Sequence, residues 1–371
     1  MKTFFDITTI NQTVINNRFF VAPMSRVSAD LNGVPSPEMC SYYTSFAEGG
    51  FGAIITEGLY TDEFYSRSYP HQPGIISKQQ TNAWRDITDS IHQYATVIIA
   101  QLMHAGSISQ ALKTTKAPSR IIPLGEGLTG YGNTGSFPVP DEMTVQDIRR
   151  AVDGFVNAAM NAVEAGFDGI ELHAANGYLL DQFITPYLNL RKDHYGGTVK
   201  NRLRIIKEIV DGIRDKMPAG FVIGLRISEG KVNNLTYRWE GGSKAARAIM
   251  EEIKVIAPDY LHIAAEHFGW LVECIYDDGT TLTGLAKEIL SCPVVANGKL
   301  HDLALAQQLL NTNQADFLSI GKYALSNPDF VKKVAAGEVL VPFDSKVIHP
   351  NPSLFSGSNK SGGGQSIDMY R

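Results

Sequence analysis

Phe19 to Arg26 reads FFVAPMSR. It opens as a continuous apolar run, which suits a strand covered on both faces better than one half exposed to water. It ends in Pro23-Met24-Ser25-Arg26. A doubly wound sheet would instead announce a G-x-G-x-x-G phosphate turn after its first strand. Seven further runs of the same kind follow: Ala53–Gly58, Val97–His104, Asp168–Leu172, Val222–Ser228, Tyr260–Glu266, Val294–Gly298 and Phe317–Lys322. Helical stretches separate them. The clearest starts at Thr144, with Asp147 three residues on in the manner of a capping box. Ile148, Val152, Phe155, Val156, Ala159 and Val163 then recur at helical spacing until Gly166 stops the helix. A second helix is predicted from about Asn201 to Met217, ended by Pro218. Eight strands alternating with helices predict an α/β fold, a (β/α)8 TIM barrel.

The chain has 371 residues, 44% hydrophobic and 19% charged, with a formal net charge of −5. That is ordinary globular composition, and no basic cluster points to nucleic acid. No apolar run approaches the ~18 residues of a membrane span, and the N-terminus lacks the apolar core of a signal peptide. Cys40, Cys274 and Cys292 are far apart and form no C-x-x-C pair. This argues against a zinc or iron–sulfur site and for a reduced, cytoplasmic setting. Residues 1–345 are expected to form the barrel, with a long Gly/Ser/Pro-rich lid loop at about 105–143 after the third strand. Residues 346–371 are expected to be a C-terminal tail, with Ser356 to Ser366 as flexible linker.

In such a barrel the C-terminal ends of the strands face the active site. Glu171 to Phe183 reads ELHAANGYLLDQF and is expected to place His173, Asn176 and Tyr178 just past the fourth strand. An imidazole and an amide can grip one oxygen, and a phenol can deliver a proton nearby, which suits polarising a carbonyl and protonating the adjacent carbon. An internally satisfied His and Asn on a loop is the plainer account. The other strand ends offer Pro23, Met24 and Ser25, then Glu57 and Gly58, Gln101 and His104, Arg226, Asn297 and Gly298, and Gly321 and Lys322. Glycines and a lysine after the last two strands suit a phosphate. The amide of Gln101 and the guanidinium of Arg226 suit a flavin ring, with Arg226 favouring the anionic reduced form. The alternative for Arg226 is an internal ion pair with Glu57 or Glu171.

These residues, with Asn17-Arg18-Phe19 through Ala22-Pro23-Met24, Ile55-Thr56-Glu57-Gly58, His104-Ala105-Gly106, Tyr195-Gly196-Gly197, Asn201-Arg202, Val295-Ala296-Asn297-Gly298 and Ser326-Asn327-Pro328-Asp329, make the chain resemble the Old Yellow Enzyme family of FMN-dependent ene-reductases. The resemblance covers nearly the whole barrel. It implies FMN as cofactor, with NADPH or NADH as reductant. His173 and Asn176 would bind the substrate oxygen, and Tyr178 would protonate the α-carbon after hydride passes from flavin N5 to the β-carbon. It also implies that Pro23, Met24, Ser25, Gly58, Gln101 and Arg226 surround the flavin ring, while Gly298, Gly321 and Lys322 hold its phosphate. Ser25 stands where relatives usually carry Thr or Cys. Lys322 replaces a common Arg, so a bidentate contact becomes a point charge. Ser107 also replaces a common Arg. Phe268-Gly269-Trp270 would either line the substrate mouth or pack beneath its loop. Reduction of nitro compounds or nitrate esters on the same site, a non-catalytic flavin-binding role and a cofactor-free barrel acting on phosphorylated sugars are the competing functions. The partner is a small-molecule substrate, and the oligomeric state, including a homo-oligomer, is left open.

Overall fold

A computed structural model describes residues 2–132, 135–348 and 351–355. Eight strands form a closed parallel barrel: β1 (Phe19–Val21), β2 (Ala53–Ile55), β3 (Val97–Met103), β4 (Gly169–Asn176), β5 (Val222–Lys231), β6 (Tyr260–Ile263), β7 (Val294–Asn297) and β8 (Phe317–Ile320). Each strand pairs with its neighbours in chain order. Pairing of Leu318 with Phe19 joins β8 to β1 and closes the ring. A helix follows every strand: α1 (Pro37–Glu48), α2 (Lys78–His92), α3 (Val145–Glu164), α4 (Val199–Arg214), α5 (Ser243–Ile256), α6 (Leu282–Ile289), α7 (Leu303–Asn311) and α8 (Phe330–Ala336). This is the (β/α)8 barrel expected from the strand runs.

Local chemistry sets the helix ends. Thr144 Oγ1 accepts from Asp147 N at 3.1 Å, while the Asp147 carboxylate accepts from Thr144 N at 2.9 Å, a complete capping box for α3. Gly166 leaves α3 at φ 84°, a left-handed conformation that glycine adopts without strain. The expected helix near residues 201–217 runs two to three residues earlier, because Thr198 caps it through Asn201 N at 3.2 Å.

Most buried apolar residues pack in two shells, and a small third cluster gathers Tyr69, Met103, Ile108, Phe137 and Tyr178. The outer one lies between strands and helices. The inner one fills the barrel with Phe20, Ile99, Tyr260, Val295 and Phe317, and Ile10 and Ile15 of an N-terminal hairpin close its floor. The extreme N-terminus is tied to β8: Lys2 Nζ lies 2.9 Å from Asp316 Oδ1, and Arg18 Nη1 donates to the Asp316 carbonyl at 2.8 Å.

One difference from the sequence reading bears on the site. β4 continues through Asn176, so His173 and Asn176 belong to the strand and only Tyr178 lies beyond it. Pairing with the long β5 extends it, since Lys231 stands opposite Asn176. Within the expected lid loop, short 3-10 turns form at Gly106–Ile108 and Thr129–Tyr131, and Lys116–Ala117 pairs with Asp141–Glu142. Leu354 N donates to Ser28 Oγ at 2.8 Å, which sets the chain there against the loop after β1. Ser356 to Ser366, expected as linker, lies outside the described residues. Among the described residues, no helix is long and apolar enough to cross a membrane.

Candidate active site

Side chains on a strand alternate between faces, and register stacks the inward ones in rows. One row aligns Gln101, Glu171, Gly224 and Tyr260; two residues further along, His173, Arg226 and His262 form the next. Gly224 is required here, because a Cβ would stand 2.1 Å from the Tyr260 ring. Glu171 organises the lower row. Its Oε1 accepts from Gln101 Nε2 at 2.8 Å, and its Oε2 accepts from Tyr260 OH and pairs with His262 Nδ1, both at 2.9 Å. Burial opposes its charge, but His262, Arg226 and Gln101 together hold the carboxyl below its ordinary value.

The upper row carries unused donors. Arg226 is 1% exposed, and its Nε and Nη2 have no hydrogen-bond partner among the described residues. A buried guanidinium with idle N–H groups is costly unless a ligand completes it. Its ion-pair partner is neither Glu57 nor Glu171 but Glu266, whose Oε2 lies 3.6 Å from Nη2. Glu57 sits elsewhere and accepts from Arg26 N and Val27 N, each at 2.9 Å. His173 is buried with Nδ1 unpartnered; burial, and then the Arg226 charge, push its pKa well down and keep the ring neutral.

Asn176 has φ 62°, a left-handed conformation that asparagine tolerates better than most residues. Its backbone N donates to Ser228 Oγ at 2.8 Å. Its side-chain Nδ2 donates to Glu266 Oε1. The structure therefore brings His173 and Asn176 to one end of β4, yet commits an Asn176 hydrogen to a carboxylate that the sequence reading had not singled out.

Tyr178 OH lies 2.5 Å from Tyr69 OH, and the Tyr69 ring stacks on Tyr131 with centroids 4.1 Å apart. Burial raises the Tyr178 phenol above its ordinary pKa. The loop that presents Tyr178 is pinned from below. Asp181 Oδ2 accepts from Gly177 N at 2.6 Å, and Asp181 Oδ1 pairs with Lys231 Nζ at 2.7 Å, both side chains being essentially inaccessible. Glu266, Tyr69, Tyr131 and the Asp181–Lys231 pair all escaped the sequence reading. The one local signal was an acid inside the apolar run LLDQF.

The residues expected around a cofactor line the same end of the barrel. Pro23, Met24 and Ser25 follow β1, and the Ser25 carbonyl accepts from Tyr131 OH at 3.4 Å. Gln101 spends one amide hydrogen on Glu171 and keeps its oxygen and a second N–H. The glycines differ in meaning. A Cβ on Gly298 would meet the Ala265 carbonyl at 2.4 Å, so the protein itself demands that glycine, whereas one on Gly58 would meet Met103 Sδ at 2.6 Å, the end of a flexible side chain that can move aside. A Cβ on Gly321 would make only ordinary contacts, at 3.8 Å, with Ala22 and Met24. The neighbouring Lys322 is exposed and lies 6.0 Å from the Phe343 ring. Trp270 is buried with Nε1 donating to Thr283 at 3.2 Å, whereas Phe268 is 40% exposed, so that aromatic stretch divides between packing and surface. Idle guanidinium nitrogens, an amide at the strand-three end and an open Gly-Lys turn fit a planar heteroaromatic ring with a polar edge and a phosphate.

A family model described as NADH:flavin oxidoreductase / NADH oxidase matches residues 3–340. A protein of Leishmania infantum named "Probable flavin mononucleotide-dependent alkene reductase" is 30% identical over 358 residues, covering 94% of this chain and 92% of that protein. Among solved structures, an old yellow enzyme homologue from Zymomonas mobilis superposes with a TM-score of 0.82 at 28% identity, covering 92% of this chain and 94% of the other. Morphinone reductase in complex with tetrahydroNAD superposes with a TM-score of 0.80 at 26% identity, covering 93% of each chain.

Proposed function

Because the chain belongs to the NADH:flavin oxidoreductase / NADH oxidase family, we propose that it is an FMN-dependent ene-reductase. It takes hydride from NADH or NADPH and reduces carbon–carbon double bonds conjugated to a carbonyl or nitro group. FMN, when bound, supplies the two-electron carrier for that transfer. The observation that carries the reading is the buried Arg226, whose Nε and Nη2 have no hydrogen-bond partner among the described residues, at the C-terminal mouth of the barrel with His173 and Tyr178.

Each group then has a task. With FMN bound, Arg226 and Gln101 would hold the polar edge of its ring, and Pro23, Met24, Ser25 and Gly58 would line it. Gly298, Gly321 and Lys322 would hold its phosphate, Lys322 as a point charge. Neutral His173 donates to the oxygen of the activating group, with Asn176 beside it. That bond grows stronger as negative charge develops on the oxygen, which is what lowers the barrier. Hydride reaches the β-carbon, and Tyr178 gives its proton to the α-carbon, so the product gains one hydride and one proton. The phenol is protonated at neutral pH, and the carbanion left at the α-carbon by hydride addition is the base that takes its proton. The Tyr69 hydroxyl, in hydrogen-bond contact, offers a path for the proton's return.

Denaturing the purified holoenzyme should release a flavin with the mass of FMN. The native enzyme should oxidise NADH or NADPH in step with saturation of 2-cyclohexen-1-one, one to one. Release of FAD, no flavin after reconstitution, or no enone-dependent oxidation refutes the assignment.

A further inference from the structure

Glu266 stands three residues beyond the end of β6, and its side chain is 32% exposed, whereas the side chain of Arg226 beside it is 2% exposed. Its two oxygens face inward to different partners, Asn176 Nδ2 and Arg226 Nη2. Glu266 thus stands, partly exposed, at the C-terminal end of the strands, where a reactant must come. Arg226 faces two carboxylates, Glu171 and Glu266. Burial pushes the imidazoles of His173 and His262 toward the neutral form. Burial opposes the charge of Glu266 too, but Arg226, His267 and the Asn176 hydrogen bond outweigh it. Of the two carboxylates that share Arg226, Glu266 is the one with an exposed part.

We propose that Glu266 is a specificity-determining residue that selects activated alkenes carrying a cationic nitrogen beside the conjugated group and works against those carrying an anionic one. This rests on the ene-reductase reading, since it names the substrate class of that site. A cation seated near Glu266 gains attraction in a partly desolvated setting, where water screens it less than in bulk. A carboxylate in the same place meets an anion that Arg226 already shares with Glu171. The effect is one of discrimination, carried by repulsion as much as by attraction.

Paired isosteres test it. A cyclohexenone bearing a trimethylammonium group and its tert-butyl counterpart have nearly the same shape and differ by one charge. Their kcat/KM ratio should fall about tenfold in Glu266→Gln, and Glu266→Asp should keep most of the wild-type ratio. Dissociation constants of (4-hydroxyphenyl)trimethylammonium and 4-tert-butylphenol, measured by calorimetry on the flavin-loaded protein, should show the same shift. An ammonium-to-tert-butyl ratio that is the same in wild type and Glu266→Gln overturns the inference, even if neutral enones are reduced well. If neither enone is turned over, the ene-reductase reading fails, and the calorimetric ratio still decides whether Glu266 selects charge. Should Glu266→Gln not fold, Glu266→Ala serves: its ratio should fall as far, and a ratio equal to wild type overturns the inference.

Discussion

Replacing Lys231 with Met leaves Asp181 buried without its cation, and the structure sets a ceiling on the cost. Met keeps most of the packing volume of the lysine stem, so the loss is chiefly electrostatic. Asp181 retains Gly177 N at 2.6 Å and Thr185 Oγ1 at 3.3 Å but loses the ammonium at 2.7 Å. Breaking a buried pair in this way typically costs 3–5 kcal/mol. Asp181 can escape the full penalty by taking up a proton. Against an ordinary value of 3.8, protonation at pH 7 costs ~4.4 kcal/mol, and at pH 5 only ~1.6, at 1.36 kcal/mol per pH unit. The sign follows from linkage. The folded variant holds a carboxyl whose pKa is raised, so it is penalised more as pH rises above the unfolded value. Urea unfolding of Lys231→Met should thus show a deficit of about 3–4 kcal/mol at pH 7 that shrinks to about 1.5 at pH 5. Lys231→Met/Asp181→Asn should recover much of the loss, because the amide needs no cation. A deficit under 1 kcal/mol, or one that does not change with pH, refutes the view that this pair anchors the loop carrying Tyr178.

Two further outcomes follow from groups already placed. Tyr178→Phe should leave reduction of the bound flavin by nicotinamide intact but slow the turnover of cyclohexenone by roughly 10²-fold; equal enone rates in stopped-flow experiments would remove Tyr178 from the proton step. Burial raises the Glu57 carboxyl to about 7 from an ordinary 4.5, so folding stability should fall as pH rises from about 4.5 to 7, by ~3 kcal/mol at 1.36 kcal/mol per unit. Glu57→Gln should flatten that slope in denaturant titrations, and an unchanged slope would assign it to other groups.

The barrel was legible because its strands announce themselves locally. Continuous apolar runs such as Phe19–Val21 and Val294–Asn297 need no knowledge of their neighbours, and Thr144 with Asp147 carries its helix start within four residues. The composition of ELHAANGYLLDQF likewise put His173, Asn176 and Tyr178 in one place. The end of β4 was not legible, because what prolongs that strand through Asn176 is its register with β5, some 50 residues away. Nor was the company these residues keep. Tyr69 meets Tyr178 across 109 residues of sequence, and Glu266 meets Asn176 across 90. Contacts of that span depend on how the ring closes, which no single window records. The same holds for Arg226: its charge was visible, and its partner was not.

The bond between the two ends of the chain has a consequence for synthesis. β1 finds its second neighbour only when β8 exists, and Lys2 and Arg18 wait for Asp316. At roughly 5–20 residues per second, that partner leaves the ribosome on the order of 15–60 s after the N-terminus does. Throughout that interval Phe19-Phe20-Val21 is an apolar strand with one edge unpaired, a template for any other nascent chain nearby. The hairpin that will become the barrel's floor is made first and has nothing yet to cover. Yield in a cell should therefore be set less by how stable the finished ring is than by how well its opening strand is sheltered until the last one arrives.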